Sequence, residues 1–411
     1  MPDGGDVVEV SPPRRTRRVF LHVGSPKTGT TYLQNILWAA KDAARDQGLL
    51  LPQDRFADHY LASLDVRGLA ARPEHPPRAV GMWQRIVDEV EGWRGDALVS
   101  HELFAGATRE QAESALAAFG PQIEVHVVLT ARDLLRQIPA EWQEHVKHRA
   151  TRTLPAFVDR IIADQGGRSW FWTVQDYAGV LDRWGSSLPR SQVHVVTVPQ
   201  RGADPTALWS RFAGLLGLDP ATFDTAAGRG NLSLGVEQAE LLRRVNAALG
   251  DSLPIPGPYP RVVKEVFAQQ VLAGRRGTPL RLDRKGREFA VARSREIADE
   301  LAALGVDVVG DLAELVPGPS DDDSGYPEAS EAALVAEGVD ALAALLTRMA
   351  ERPRAEAEYR RQLAQMREMP VRYALLQASR RHPVLGRLRR AYQLGARTLS
   401  RGGGSGASGP G

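Results

Sequence analysis

The chain has 411 residues, 52 lysines and arginines against 50 aspartates and glutamates, 43% hydrophobic residues and no cysteine. That is the composition of a soluble globular protein of one large or two ordinary domains. The missing thiol excludes disulfides, thiolate zinc sites, iron–sulfur clusters and a cysteine nucleophile. No apolar run reaches the ~18 residues that a membrane-spanning helix needs. The opening MPDGGDVVEVSPPRRTRR lacks the apolar region of a secretion signal, so a cytoplasmic protein is expected.

Residues 1–18 are rich in Pro, Gly and charge and read as disordered. VFLHVG (19–24) is a short apolar run ending in glycine, the pattern of a buried strand. A loop follows, and TYLQNILWAAKDAARDQG then has helical spacing up to Gly48. Three more β-branched runs, at 97–100, 124–130 and 193–198, read as buried parallel strands. Helical patterns lie between them at 110–119, 133–148 and 174–184, and strand–helix repetition implies an α/β fold, a parallel sheet with helices on both faces. From about 205 to 316 the pattern is mainly helical, ending in VDVVGDLAELVP. We therefore expect one domain over 19–316, a linker at 317–330, a basic helical extension over 331–401 and a disordered Gly/Ser tail at 402–411.

Charge is unevenly spread. Residues 351–411 hold 13 arginines and four glutamates, and the rest of the chain holds 39 basic and 46 acidic groups. Within 371–401, Leu385, Leu388, Tyr392 and Leu399 recur at helical spacing among eight arginines. Such a helix suits either an anionic membrane surface, making the protein peripheral there, or the acidic body of the chain itself. No recognition motif accompanies the charge, so nucleic acid is not expected as a partner. Only five of the basic residues are lysine: Lys27, Lys41, Lys147, Lys264 and Lys285. An ammonium and a guanidinium are not interchangeable, so each lysine is a place to look for its own chemistry.

The informative loop is Gly24-Ser25-Pro26-Lys27-Thr28-Gly29-Thr30-Thr31, between a buried strand and a helix. A helix N-terminus offers unpaired N–H groups and a positive dipole end, which favour an anion. The glycines obey the phosphate-loop spacing, but Thr30-Thr31 stands where Lys-[Ser/Thr] would, and the lysine is at position 27. This argues against a magnesium–ATP loop and for a related anion cradle.

PKTGTT after a strand resembles the phosphosulfate-binding loop, P-K-[S/T]-G-T-[T/S], of sulfotransferases that use 3'-phosphoadenosine 5'-phosphosulfate. With TARDLLRQIPAEWQEHVKH and VHVVTVPQ, the stretch 19–316 is similar to bacterial sulfotransferase-family proteins. The resemblance implies a P-loop NTPase-like sulfotransferase fold and sulfuryl transfer to an acceptor hydroxyl of a carbohydrate, lipid or natural product, with no metal required. It implies that Ser25, Pro26, Lys27, Thr28, Gly29, Thr30 and Thr31 hold the phosphosulfate, Lys27 also being catalytic. Arg132 matches the arginine that binds the 3'-phosphate, but the serine expected eight residues later is Ala140, with Gln137 and Gln143 as possible substitutes. Asn231 and Ser233, in a Gly-rich loop before a helix, are further cofactor candidates; an N-cap role for Ser233 is the alternative.

Sulfuryl transfer to a hydroxyl needs a proton acceptor, and sulfotransferases supply a histidine or a glutamate. Ser100-His101-Glu102-Leu103 closes a strand, where ligands of parallel sheets bind. His101 and Glu102 are both candidates, and neighbours on extended chain point to opposite faces. A phosphate-loop kinase or hydrolase, and a non-catalytic nucleotide-binding or scaffold protein of the same fold, are the competing readings. Trp170, Phe171 and Trp172 suit an acceptor pocket or core packing, and His22 suits a structural role. His145 and His148 lack a third metal ligand, and Arg284-Lys285-Gly286 opens a helical pattern.

Overall fold

The four predicted strands form: β1 Arg17–Gly24, β3 Asp96–Ser100, β4 Ile123–Ala131 and β5 Val193–Thr197. Their side chains are buried along nearly their whole length, as expected of β-branched runs covered on two faces. Two short strands escape the sequence pattern, β2 Leu49–Leu50 and β6 Asp307–Val309. They are too brief to show periodicity and exist through pairing, Leu49 opposite Asp96 and Asp307 opposite His194. The sheet is six-stranded and wholly parallel, in the order β2-β3-β1-β4-β5-β6. This computed structural model describes residues 16–167, 169–228, 233–318 and 325–368, with side chains as far as residue 351.

Helices α1 Thr30–Ala39, α2 Lys41–Asp46, α3 Phe56–Val66, α4 Met82–Gly92 and α5 Arg109–Ala117 connect the first strands. After β4 come α6 Leu134–Lys147, α7 Leu154–Ala163, α8 Trp170–Gln175 and α9 Tyr177–Gly185. Then follow α10 Ala207–Leu216, α11 Val236–Leu249, a wide helical segment Pro260–Leu272, α12 Arg284–Leu304 and α13 Glu331–Glu368. Two predicted helices are each split. The first breaks at Ala40, and the stretch 174–184 divides at Asp176, whose carboxylate accepts from Gly179 N–H at 3.1 Å and starts α9.

Both faces of the sheet are covered. On one, Leu33, Ile36 and Leu37 of α1 and Trp209, Phe212 and Leu216 of α10 pack with Phe20, Leu98, Val128 and Val196. On the other, α9 lies so close that a Cβ on Gly185 would meet Val193 Cγ2 at 2.8 Å. From β1 the chain passes first to β2 and β3 on one side and then to β4 on the other. The crevice where strand order reverses therefore lies beyond the carboxyl end of β1, where open parallel sheets bind ligands.

The chain divides into two units, Met1–Val339 and Asp340–Gly411. The end of the expected basic extension, including 371–401, lies outside the described residues, as does part of the expected linker. Among the described residues no helix is long and apolar enough to cross a membrane. Leu33 is fully buried between α1 and the sheet. Leu33→Ala is expected to lower stability by about 2–5 kcal/mol, read from urea unfolding as a lower midpoint at unchanged slope.

Candidate anion-binding site

The loop after β1 is stapled to its surroundings from behind. Ser25 N–H donates to Thr130 O at 3.1 Å, and Ser25 Oγ donates to Val174 O at 2.6 Å. Thr28 Oγ1 donates to Ser25 O at 2.5 Å and meets the Thr130 hydroxyl, which itself donates to Gly24 O at 3.0 Å. The Pro26 carbonyl accepts from Gln137 Nε2 and, at 3.1 Å, from Gln175 Nε2. The side-chain hydroxyls of Ser25 and Thr28 are thus engaged with neighbouring protein groups.

What the loop presents outward is backbone. The N–H groups of Lys27, Thr28, Gly29, Thr30 and Thr31 have no partner among the described residues. No side chain caps α1, and no acid stands in its first turn, so its dipole is uncompensated there. The hydroxyls of Thr30 and Thr31 are likewise unpaired among the described residues. Lys27 has φ 63°, a left-handed conformation costing a residue with a side chain about 1–2 kcal/mol. The flanking staples hold it there. Gly29 stands at φ 90°, a left-handed backbone that residues with a side chain rarely adopt.

Arg132, at the end of β4, is clamped by Tyr177: its N–H donates to the phenol at 3.2 Å and its carbonyl accepts from it at 2.8 Å. Its Nε donates to Gln137 Oε1 and one Nη to Arg136 O, both at 2.9 Å. Gln137 thus links Arg132 to the Pro26 carbonyl. Arg132 makes no ion pair among the described residues, whereas neighbouring Arg136 is paired with Asp133. Burial, with Arg136 nearby, lowers the guanidinium to about 10, which leaves it cationic at neutral pH. Gln143, the other expected substitute for the missing serine at Ala140, instead accepts from Leu234 N–H at 3.0 Å.

Lys27 does not stand alone. Its Nζ lies 2.5 Å from Glu144 Oε2 on α6, and Lys264 Nζ lies 3.0 Å from Glu144 Oε1. Burial alone would raise the Glu144 carboxyl, but Lys27 and Lys264 hold it well below the carboxylate range. One turn earlier, burial pushes Glu141 up to about 7, against the pull of Lys27, and its Oε1 accepts from Gln175 Nε2 at 3.2 Å. Sequence reasoning missed Glu141, Glu144 and Lys264. The signal was there in part, as the scarcity of lysine and the three-residue spacing of Glu141, Glu144 and Lys147 on one helix face.

The structure separates the two base candidates chemically. His101 caps the helical turn Glu102–Gly106: its Nδ1 accepts from Leu103 N–H at 3.2 Å. A neutral imidazole in that role carries its proton on Nε2 and has no free lone pair for a second proton. Burial lowers the pKa of His101, against the pull of the adjacent Glu102. Glu102 Oε2, by contrast, is buried without a hydrogen-bond partner among the described residues. Burial opposes ionisation of Glu102, but His101, its own backbone N–H and Lys27 hold it below the ordinary range. Its backbone adjoins the loop, since a Cβ on Gly24 would lie 3.1 Å from Glu102 O.

The remaining sequence candidates are dispersed. Asn231 lies outside the described residues, and Ser233 is exposed and does not cap α11, whose N-cap is Gly235. Phe171 and Trp172 are core residues, and Trp170 fills the space beside Gly106. His22 is buried between Ser100 Oγ (2.8 Å) and Thr130 Oγ1 (3.2 Å), and burial lowers it to about 4. His145 packs against Phe157, His148 meets Lys264, and Lys285 pairs with Asp159.

No family model matches this chain, and no curated protein does. Among solved structures, a sulfotransferase from Alicyclobacillus acidocaldarius is similar over 72% of this chain and 98% of its own, at 16% identity and a TM-score of 0.39.

The buried Glu141 sets a pH test. Its folded pKa is raised, so the folded protein binds more protons than the unfolded chain between the ordinary carboxylate value and about 7, and that contribution to stability is lost as pH rises through the window. Glu141→Gln removes the effect. Relative to wild type, the variant is expected to gain stability progressively from pH 4.5 to above 7 in parallel urea titrations.

Proposed function

We propose that this protein is a sulfotransferase that moves the sulfuryl group of 3'-phosphoadenosine 5'-phosphosulfate to an acceptor hydroxyl. The observation that carries the reading is the joining, through Gln137, of two anion-seeking elements, the N–H groups of the loop and the Arg132 guanidinium, both without an anionic partner among the described residues. One suits a 5'-phosphosulfate and the other a 3'-phosphate. The P-K-T-G-T-T order of the loop supports a sulfuryl donor over a nucleoside triphosphate, because Lys27 stands ahead of Gly29 rather than after it.

In this reading the acceptor oxygen attacks sulfur in line while the bond from sulfur to the bridging phosphate oxygen breaks. Glu102 accepts the hydroxyl proton, giving its buried, partnerless Oε2 the hydrogen bond it lacks. Lys27 and the amides at the start of α1 stabilise charge gathering on the departing phosphate, a preorganised electrostatic role. Arg132, held by Tyr177 and Gln137, orients the donor through its 3'-phosphate. The acceptor is a carbohydrate, a lipid or a natural product carrying a free hydroxyl.

Lys27→Ala is expected to slow sulfate transfer by about 10²–10³-fold with labelled donor and an acceptor panel. An unchanged rate refutes the mechanism. Glu102→Gln should abolish turnover with 3'-phosphoadenosine 5'-phosphate binding retained, whereas His101→Ala should retain a share of it. Arg132→Ala should weaken 3'-phosphoadenosine 5'-phosphate by roughly 10–100-fold in calorimetry, as loss of a charge-assisted contact requires.

A further inference from the structure

Lysine is rare in this chain, yet three of its five lysines, Lys27, Lys147 and Lys264, act electrostatically on one carboxylate, that of Glu144. Two of them touch it, one on each oxygen: Lys27 on Oε2 at 2.5 Å and Lys264 on Oε1 at 3.0 Å. Lys264 has a second anchor, His148 Nε2 at 2.7 Å, and His148 Nδ1 in turn donates to the Glu144 carbonyl at 3.0 Å. Lys27 has no other side-chain partner among the described residues. Thus the ammonium of a loop whose N–H groups await an anion is already engaged by an internal one. If Lys27 turns away, Lys264 stays on the opposite oxygen, so the half-buried carboxylate keeps a counter-charge.

We propose that Glu144 is a positioning residue that competes with a bound anion for Lys27, and that Lys264 keeps Glu144 compensated once Lys27 has turned to that anion. The proposal rests on the sulfotransferase reading for the identity of the anion, and on the ion-pair geometry for everything else. Binding of the donor is then an exchange of one carboxylate for another anion at Lys27, with Glu144 setting how much affinity the loop gives up. An internal competitor makes a distinctive forecast, because removing it tightens binding, whereas damage to a merely structural residue loosens it.

The test measures dissociation constants of two probes, 3'-phosphoadenosine 5'-phosphate and inorganic pyrophosphate, by calorimetry on the full chain. Glu144→Gln should bind roughly tenfold tighter than wild type, the scale of one charge-assisted contact. Lys264→Met should bind several-fold more weakly, because Glu144 then holds Lys27 alone. The double variant should return to within about threefold of Glu144→Gln, since Lys264 acts only through Glu144. Glu144→Asp, which restores the charge, should move back toward wild type. Binding by Glu144→Gln that is equal to or weaker than wild type overturns the proposal. Should Glu144→Gln fail to fold, Lys264→Met decides, and unchanged or tighter binding overturns it. Pyrophosphate binding that tightens in Glu144→Gln while the nucleotide binds no variant keeps the proposal and ends the sulfotransferase reading. Nucleotide binding that is indifferent to Glu144 does the reverse, and binding of neither probe to any variant removes both.

Discussion

The site depends on one hydroxyl. Thr130, near the end of β4, donates to the Gly24 carbonyl, meets Thr28 Oγ1 and lies 3.2 Å from His22 Nε2. Its backbone carbonyl also accepts from Ser25 N–H. These contacts tie the end of β1 to the end of β4 and fix both ends of the loop segment 24–28, which contains Lys27. With the back of the loop occupied, its free N–H groups have only the outward direction. A loop with flexible ends would satisfy those groups internally, as buried backbone donors generally are. The left-handed Lys27 is the local cost of that arrangement, and the surrounding bonds outweigh it.

Around this anchor the polar interior is ordered by charge. Arg132 and the start of α1 supply positive potential without a paired anion among the described residues, while Glu141, Glu144 and Glu102 sit close enough to Lys27 to interact with it. Their environments push the three carboxyls apart: Glu144 is held down by two ammonium groups, Glu141 is pushed up by burial, and Glu102 is held down despite burial. Such divergence among neighbouring acids is characteristic of functional sites, where low dielectric magnifies small differences in partners. It also divides labour. A carboxylate oxygen with no partner among the described residues can take a proton, and a carboxylate between two lysines can hold one of them in place.

Much of the frame was legible in the residues. The four long strands could be read because burial on both faces demands continuous β-branched runs, and the loop because its glycines, lysine and threonines sit between a strand and a helix. The short strands β2 and β6 could not, since two or three residues carry no period and depend on neighbours already in place. The inward turn of the Ser25 and Thr28 hydroxyls was equally hidden, because it follows from where Thr130 and Val174 arrive from distant parts of the chain. The capping bond of His101 Nδ1, which distinguishes it from Glu102, is a matter of backbone direction that adjacency alone leaves open.

The sequence by itself determined the α/β class and the place of the Gly- and Thr-rich loop between a strand and a helix, because local periodicity and turn chemistry are short-range properties. It also showed that lysine is scarce. Only the tertiary structure decided that Lys27 on the loop and Lys264 on the wide helical segment meet at Glu144 of α6. Residues more than 100 positions apart meet there because the sheet places the end of β1 beside α6. Coulomb energy depends on distance in space rather than along the chain, so that partnership had no signature until the chain was folded.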